Sequence, residues 1–508
     1  MNFRRWVVFT FLIHVLVVVV DKGGGLILYL LTANQPDQHG KSGIVASLPY
    51  ILMAVANLGL ATSMVYFLRK GRYTAQQAFG TALTVAVVWG TLIALLALGV
   101  TLFVLPHINP AWQFDPWLVV PWCAVVPLLL IASYGNSVQL ATERVRDYGA
   151  VHLVTSLTFL PVFFAVFFWL GADVAHGDVP MAVAWGRLAS TALVALLVLV
   201  LVRRIVPVRF GLDRGFLRDG IRYGWKANVT STLTYLNHRI DLMVLGALFV
   251  PLLGNASVVT GPADDVRDSL LEWTRQVTPL PPALRDEVFL RQALLDRIVL
   301  AEVAFYSMAV TWAELVWHFP EAMRDLFFSK VAGSSHEKAR EMTPVLTRLG
   351  LAVSVLAGIL VLLLIDPVMG TITWLAGKTG DPWHSTWSDP VRRALIVLTP
   401  GTVAFTVSKV LQADLAARNR LGICVNAQGI VLVVMLALDL VWMPEYGAVG
   451  AAFASTVAYV SSTLYTVWAY SRSTGTKSWT CLIVHWSDFR FIREIGSGVF
   501  TKLRWRRS

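Results

Sequence analysis

The stretch QQAFGTALTVAVVWGTLIALLALGVTLFVL, residues Gln76–Leu105, holds no Asp, Glu, Lys or Arg. A helix needs about 20 apolar residues to cross the hydrocarbon core of a bilayer, and this stretch is longer. Eleven others also reach that length: 6–32, 43–68, 117–139, 149–171, 180–202, 226–251, 298–329, 343–366, 390–413, 421–443 and 447–470. The reading is an all-α polytopic membrane protein with twelve transmembrane helices. Composition agrees. Of 508 residues, 56% are hydrophobic and only 14% charged, with mean hydropathy +0.64, against about 25% charged in a soluble domain.

The net charge of +11 does not indicate a nucleic-acid partner. The basic residues form no single patch; they stand at the ends of apolar segments, as membrane topology requires. With the N-terminus inside, the inner loops hold Arg69, Lys70, Arg72, Arg144, Arg146, Arg203, Arg204, Arg209, Arg214, Arg218, Arg222, Lys226, Arg418 and Arg420. The outer loops 106–116, 172–179 and 444–446 hold no Lys or Arg. Both termini are expected in the cytoplasm. Arg4 and Arg5 precede an apolar run too long for a signal peptide, so the first helix is read as retained.

The halves look related. The fourth and tenth spans run into Arg144-Val-Arg146 and Arg418-Asn-Arg420, and the sixth and twelfth carry Ala189-Ser190-Thr191 and Ala454-Ser455-Thr456. A parallel repeat of two six-helix lobes follows, with a substrate path between them. The expected organisation is an N-terminal lobe, 1–206, and a cytoplasmic linker, 207–225. A C-terminal lobe, 226–470, carries an outer insertion at 252–297, and a basic interfacial tail, 471–508, follows. The insertion reads as a helical hairpin, either a lid or docking surface or a tolerated insertion. The tail, with Trp, Phe and Ile among Arg and Lys, suits membrane lipid.

Charges within spans are costly and usually face a cavity or a partner. The first span holds Asp21 and Lys22 before Gly23-Gly24-Gly25; the sixth, Arg187; the seventh, His238, Arg239 and Asp241. The eighth holds Glu314, Glu321, Arg324 and Asp325, and the tenth Lys409. Helices one and seven are repeat partners, so Lys22 and Arg239 place a cation at similar depth in each lobe. They either contact an anionic, phosphate-bearing substrate or pair within the bundle. Asp21, Asp241 and Glu314 are candidates for ion coupling. Pro320 and Pro400-Gly401 are candidate helix breaks or packing kinks. Trp117, Trp122, Trp374, Trp383 and Trp387 read as interface anchors.

Cys123, Cys424 and Cys481 are too dispersed for a disulfide framework or a metal site. No phosphate loop, GxSxG or HExxH occurs. No cofactor and no enzymatic activity are expected.

Several stretches carry a resemblance: DKGGGLILYLLTAN at 21–34, NLGLATSMVYFLRKG at 57–71, YLNHRIDLMVLGALF at 235–249, LTPGTVAFTVSKVLQADLAARNR at 398–420 and MPEYGAVGAAFASTVAYV at 443–460. The segment around Phe305-Tyr306-Ser307 adds to it. The chain resembles the polysaccharide flippases of the multidrug/oligosaccharidyl-lipid/polysaccharide exporter superfamily. The resemblance implies two six-helix bundles forming a V-shaped central cleft in a bacterial inner membrane. It implies translocation of undecaprenyl-diphosphate-linked oligosaccharide for capsule, O-antigen or exopolysaccharide, with polymerase or export partners. Lys22 and Arg239 match the family's basic positions, with Lys409 a further candidate.

Three alternatives stay open. An ion-coupled drug or metabolite antiporter of the same superfamily would favour carboxylates in the cleft. A lipid II flippase is a closer relative that generally carries two more helices. A membrane polysaccharide polymerase would use arginines of the outer segment.

Overall fold

The computed structural model describes residues 36–108, 114–142, 144–172, 178–253, 287–317, 336–375, 382–418, 420–475 and 481–482, with eight positions between 16 and 28. Among these residues every regular element is helical. The helices are α1 (Pro36–Ala56), α2 (Leu60–Arg69), α3 (Ala75–Gly99, continuing through a π-turn), α4 (Pro116–Ala141), α5 (Val145–Trp169) and α6 (Val179–Arg203). Then come α7 (Arg214–Asn237), α8 (Ile240–Leu253), α9 (Glu287–Ala313), α10 (His336–Leu375), α11 (Pro382–Ala417) and α12 (Leu421–Thr474).

Lipid leaves backbone groups no water to bond, so spanning segments are helices that satisfy themselves. The apolar surface points outward accordingly. Leu92, Leu95, Leu96 and Phe103 are exposed along α3, as are Leu356 and Leu363 on α10. Small or aromatic residues such as Ala78, Phe79, Ala82 and Ala86 face inward. Trp117 at the start of α4 is 65% exposed, consistent with an interface anchor, but Trp122 is 3% exposed. It lies one turn further on, on the side of α4 that packs into the core, and so is a core residue.

The expected second span is two helices. α1 and α2 meet at a 45° bend, where Leu58 and Gly59 have φ of 55° and 73°. The Asn57 side chain caps α2 by accepting from Ala61 N–H at 3.3 Å. Tyr134 on α4 donates its hydroxyl to the Asn57 carbonyl at 2.9 Å. The break is thus satisfied from inside the protein.

α12 covers the last two expected spans. Gly447, at φ 51° and ψ −127°, reverses the chain after Pro444. The arms run antiparallel: Ser462 donates to the Ala427 carbonyl at 2.8 Å, and the Trp442 and Phe453 rings lie 4.1 Å apart. Glu302 on α9 holds the turn by accepting from Ala448 N–H at 2.9 Å. A carboxylate at the start of the second arm also suits the helix dipole.

α11 runs unbroken through Pro400, so Pro400-Gly401 is not a helix break. The Thr456 hydroxyl donates to the Val397 carbonyl in the turn before the proline at 2.7 Å. A Cβ on Gly401 would collide with Thr456, so this glycine admits the second arm of α12. α7 starts at Arg214, so the second half of the expected linker is helix continuous with the seventh span. α9 starts at Glu287, inside the expected insertion; residues 254–286, most of that insertion, lie outside the described residues, as does nearly all of the tail.

The lobes meet along α1, α2, α7 and α9. A Cβ on Gly40 would strike the Leu300 carbonyl, and one on Gly43 would lie 3.5 Å from Ser307 Oγ. Toward the other end Gly59 and Gly224 are in backbone contact. Arg69 reaches the Leu140 carbonyl at 3.2 Å and Arg72 reaches Asp219 at 2.6 Å. These contacts gather the arginine-rich loops at one end of the bundle, called here the basic end.

Candidate functional site

The seventh span is interrupted where the sequence places its charges. α7 stops at Asn237 and α8 resumes at Ile240. Arg239 N–H bonds the Leu236 carbonyl at 3.0 Å, a tightened last turn. The eighth span breaks as well. α9 ends at Ala313, and Trp317 N–H turns back to the Glu314 carbonyl at 2.9 Å. The two breaks face each other. Arg239 Nη2 lies 3.9 Å from Glu314 Oε1, with side chains 31% and 23% exposed. This is a loose, partly open ion pair, weak enough to be exchanged for a ligand.

One turn inward the surroundings become dry. Asp241 is 1% exposed. Its carboxylate accepts from the Tyr306 hydroxyl, from Ser455 Oγ at 3.3 Å and from Leu242 N–H at 2.9 Å. Tyr306 and Ser455 lie 3.0 Å apart. Asp439, on the first arm of α12, is also fully buried, one turn on from Met435, whose sulfur accepts from Ser455 Oγ at 3.5 Å. Neither Asp439 oxygen has a hydrogen-bond partner among the described residues. In this dry chamber an uncompensated carboxylate is costly; Tyr306, Ser455 and Leu242 N–H compensate Asp241.

Below the chamber, toward the basic end, runs a ladder of buried amides. Asn237 Nδ2 donates to Gln428 Oε1 at 2.9 Å, and Gln428 Nε2 to Gln412 Oε1 at 3.0 Å. Gln412 Nε2 donates to Ser408 Oγ at 2.8 Å, and Ser408 meets Thr466 at 2.9 Å. The ladder joins α7, α11 and both arms of α12.

Lys409 is 5% exposed, with Nζ 3.7 Å from the centre of the Trp317 ring. Trp317 is fixed by donating to the Thr402 carbonyl at 2.8 Å, and His238 packs on its ring at 5.0 Å. Arg239, Glu314 and Lys409 are therefore gathered around Trp317, but Lys409 is covered by an aromatic wall. In the first lobe Arg187 lies 4.1 Å over the Phe159 ring, and its Nε has no partner among the described residues.

Asp21 and Lys22 lie outside the described residues, as do Glu321, Arg324 and Asp325. Gly23, Gly24 and Gly25 are helical, and a Cβ on Gly24 would touch Leu160 of α5 at 3.4 Å. The glycine patch thus lets α5 approach on one side, and no atom of the described residues lies within 4 Å of a Cβ on Gly23 or Gly25.

Sequence reading passed over Asp439. Its signal was a lone acid in the otherwise apolar VLVVMLALDLVW, 431–442. Tyr306 was visible only as part of a motif, and Ser455 only as part of a repeat. No group of three or more His, Cys, Asp or Glu able to hold a metal occurs among the described residues.

No protein-family model matches the sequence, and no curated protein does. Solved structures do match. An inward-facing multidrug-resistance MATE transporter of the MOP superfamily matches at TM-score 0.61 and 12% identity, over 93% of this chain and 99% of that one. The lipid II flippase MurJ in an inward closed conformation matches at TM-score 0.60 and 13% identity, over 99% and 97%. A MOP-superfamily transporter from Pyrococcus furiosus matches at TM-score 0.56 and 13% identity, over 94% and 96%. The chain has the all-helical fold of these transporters and is a multi-pass membrane protein.

Proposed function

We propose that the chain is a flippase carrying undecaprenyl-diphosphate-linked oligosaccharide repeat units across a bacterial inner membrane. Transport runs from the cytoplasmic to the periplasmic leaflet and serves polysaccharide biosynthesis. The basic end faces the cytoplasm. The observation that carries this reading is the presence of guanidinium groups within the spans of both lobes, Arg187 and Arg239. Arginine keeps its charge at any accessible pH and matches phosphate in a bidentate fork. Lys22, on the helix paired with that of Arg239, adds a third cation on the sequence reading. Arg239 releases Glu314 when the diphosphate arrives. Asp241 and Asp439 hold the coupling proton or cation.

A second reading, an ion-coupled antiporter for organic cations, is favoured by the same carboxylates. Asp241 and Asp439 are more deeply buried than Arg239. Lipid II is the closest chemical alternative for the flippase reading, being itself a diphosphate-linked saccharide.

Proteoliposomes loaded with labelled lipid-linked oligosaccharide test the assignment. Unchanged substrate reaching the opposite leaflet supports a flippase, and Arg239→Gln should slow it at least tenfold. Lengthened glycans identify a polymerase instead. Cation-driven efflux of an organic dye without lipid transfer identifies the antiporter.

A further inference from the structure

The first half of α7 has two faces with different charge. Both of its neighbouring acids turn inward. Asp213 caps the helix by accepting from Phe216 N–H at 2.9 Å. Asp219 accepts from Arg72 at 2.6 Å and Tyr73 at 2.9 Å. Phe216, Gly220 and Gly224 on that side are buried. The other side carries Arg214, Arg218 and Arg222, all exposed. Their i, i+4, i+8 spacing aligns them on one stripe about 12 Å long. Arg218 is 83% exposed and touches Asp219 only at 3.6 Å. Ile221 and Trp225 are exposed beside the stripe, Trp225 at 50%.

Three fixed cations next to exposed Trp and Ile, immediately before a membrane span, match a bilayer interface. There a ring sits at headgroup level and arginines meet phosphate. We propose that this stripe docks anionic phospholipid headgroups where α7 leaves the membrane, while the inner face of the same half-helix seals on α2. The occupant is a negatively charged lipid because every charge the stripe presents outward is positive. The proposal rests only on the chain being a membrane protein, not on what it transports.

The test uses the full-length protein in detergent, with bound phosphatidylglycerol and phosphatidylcholine counted by native mass spectrometry. The wild type should retain phosphatidylglycerol over phosphatidylcholine, and retention should fall between about 50 mM and about 500 mM salt. R214Q/R218Q/R222Q should weaken phosphatidylglycerol binding about a hundredfold, roughly fivefold per arginine. R214K/R218K/R222K should keep most of it. If the triple glutamine variant fails to fold, R218Q alone should show the fivefold loss. Equal phosphatidylglycerol retention by wild type and glutamine variants overturns the proposal. So does displacement of phosphatidylglycerol by undecaprenyl diphosphate, which would make the stripe a substrate station.

Discussion

Gly59 and Gly224 meet backbone against backbone, so that a Cβ on either would run into the carbonyl of the other. Gly59 sits at the broken midpoint of the second span and Gly224 on α7, so this contact joins the two lobes. Tyr66 and Tyr223 stack beside it at 4.2 Å. Gly59→Ala is strained twice, by the collision and by its φ of 73°. Gly224→Ala meets only the collision. Gly224→Ala should therefore hold the basic end apart while leaving the helices intact. Electron–electron resonance distances between spin labels at Lys70 and Arg222 should lengthen and broaden. An unchanged distribution would contradict the contact's role.

Arg72 and Asp219 fasten the same seam nearer the surface. The Asp219 carboxyl is held below the usual carboxylate range, first by the Tyr73 hydroxyl and then by Arg72. Tyr73 is raised in turn, chiefly by donating to Asp219. A depressed acid stabilises the closed form above its ordinary pKa and loses that contribution as pH falls through the lowered value. Closure should thus be flat from neutral pH down to about 4 and weaken only below it. Asp219→Asn should loosen the seam at neutral pH and remove its further weakening below about 4. The same spin-label pair reads both effects.

Asp439→Asn removes one of two crowded acids without changing shape. The protein should fold at least as well as the wild type, since a buried acid with no hydrogen-bond partner among the described residues has gone. On the proposed coupling role, what it should lose is dependence on the cation. Thermal unfolding midpoints measured with sodium against potassium, and across pH, should vary in the wild type and flatten in Asp439→Asn and Asp241→Asn. A cation-dependent midpoint that persists in both variants would remove the chamber from the coupling scheme.

Tyr134→Phe deletes only a hydroxyl, which the Asn57 carbonyl accepts at 2.9 Å beside its bond from Leu60 N–H at 3.1 Å. Losing one of the carbonyl's two bonds costs about 0.5–1.5 kcal/mol. Steric-trapping measurements of unfolding should show a loss in that range. A neutral result would mean that Leu60 N–H alone satisfies the carbonyl.

The fold was legible because a membrane span averages its signal over about 20 residues, so single polar residues do not hide it. The charges of the seventh span were legible for the converse reason: Arg239 and Asp241 are conspicuous where few charges occur. The breaks were not. Proline marked Pro400, which the helix crosses intact, because inside a bundle neighbouring hydroxyls such as Thr456 take up the disturbed carbonyls. The actual interruptions at Asn57–Gly59, His238–Arg239 and Glu314 contain no proline. Asp439 stayed hidden because its burial depends on helices far apart in sequence, and on Gly447 folding the two arms of α12 back to back.

The jointed second span has a consequence for how the molecule moves. α1 is docked on α9 through Gly40 and Gly43, while α2 is docked on α7 through Gly59. Had the span been one rod, parting the lobes at one rim would have pried them apart at the other. With an elbow at Asn57–Gly59, the forearm can swing free while the upper arm keeps its grip. The molecule thus has two grips on one jointed post, and on the transport reading one rim can part while the other stays shut.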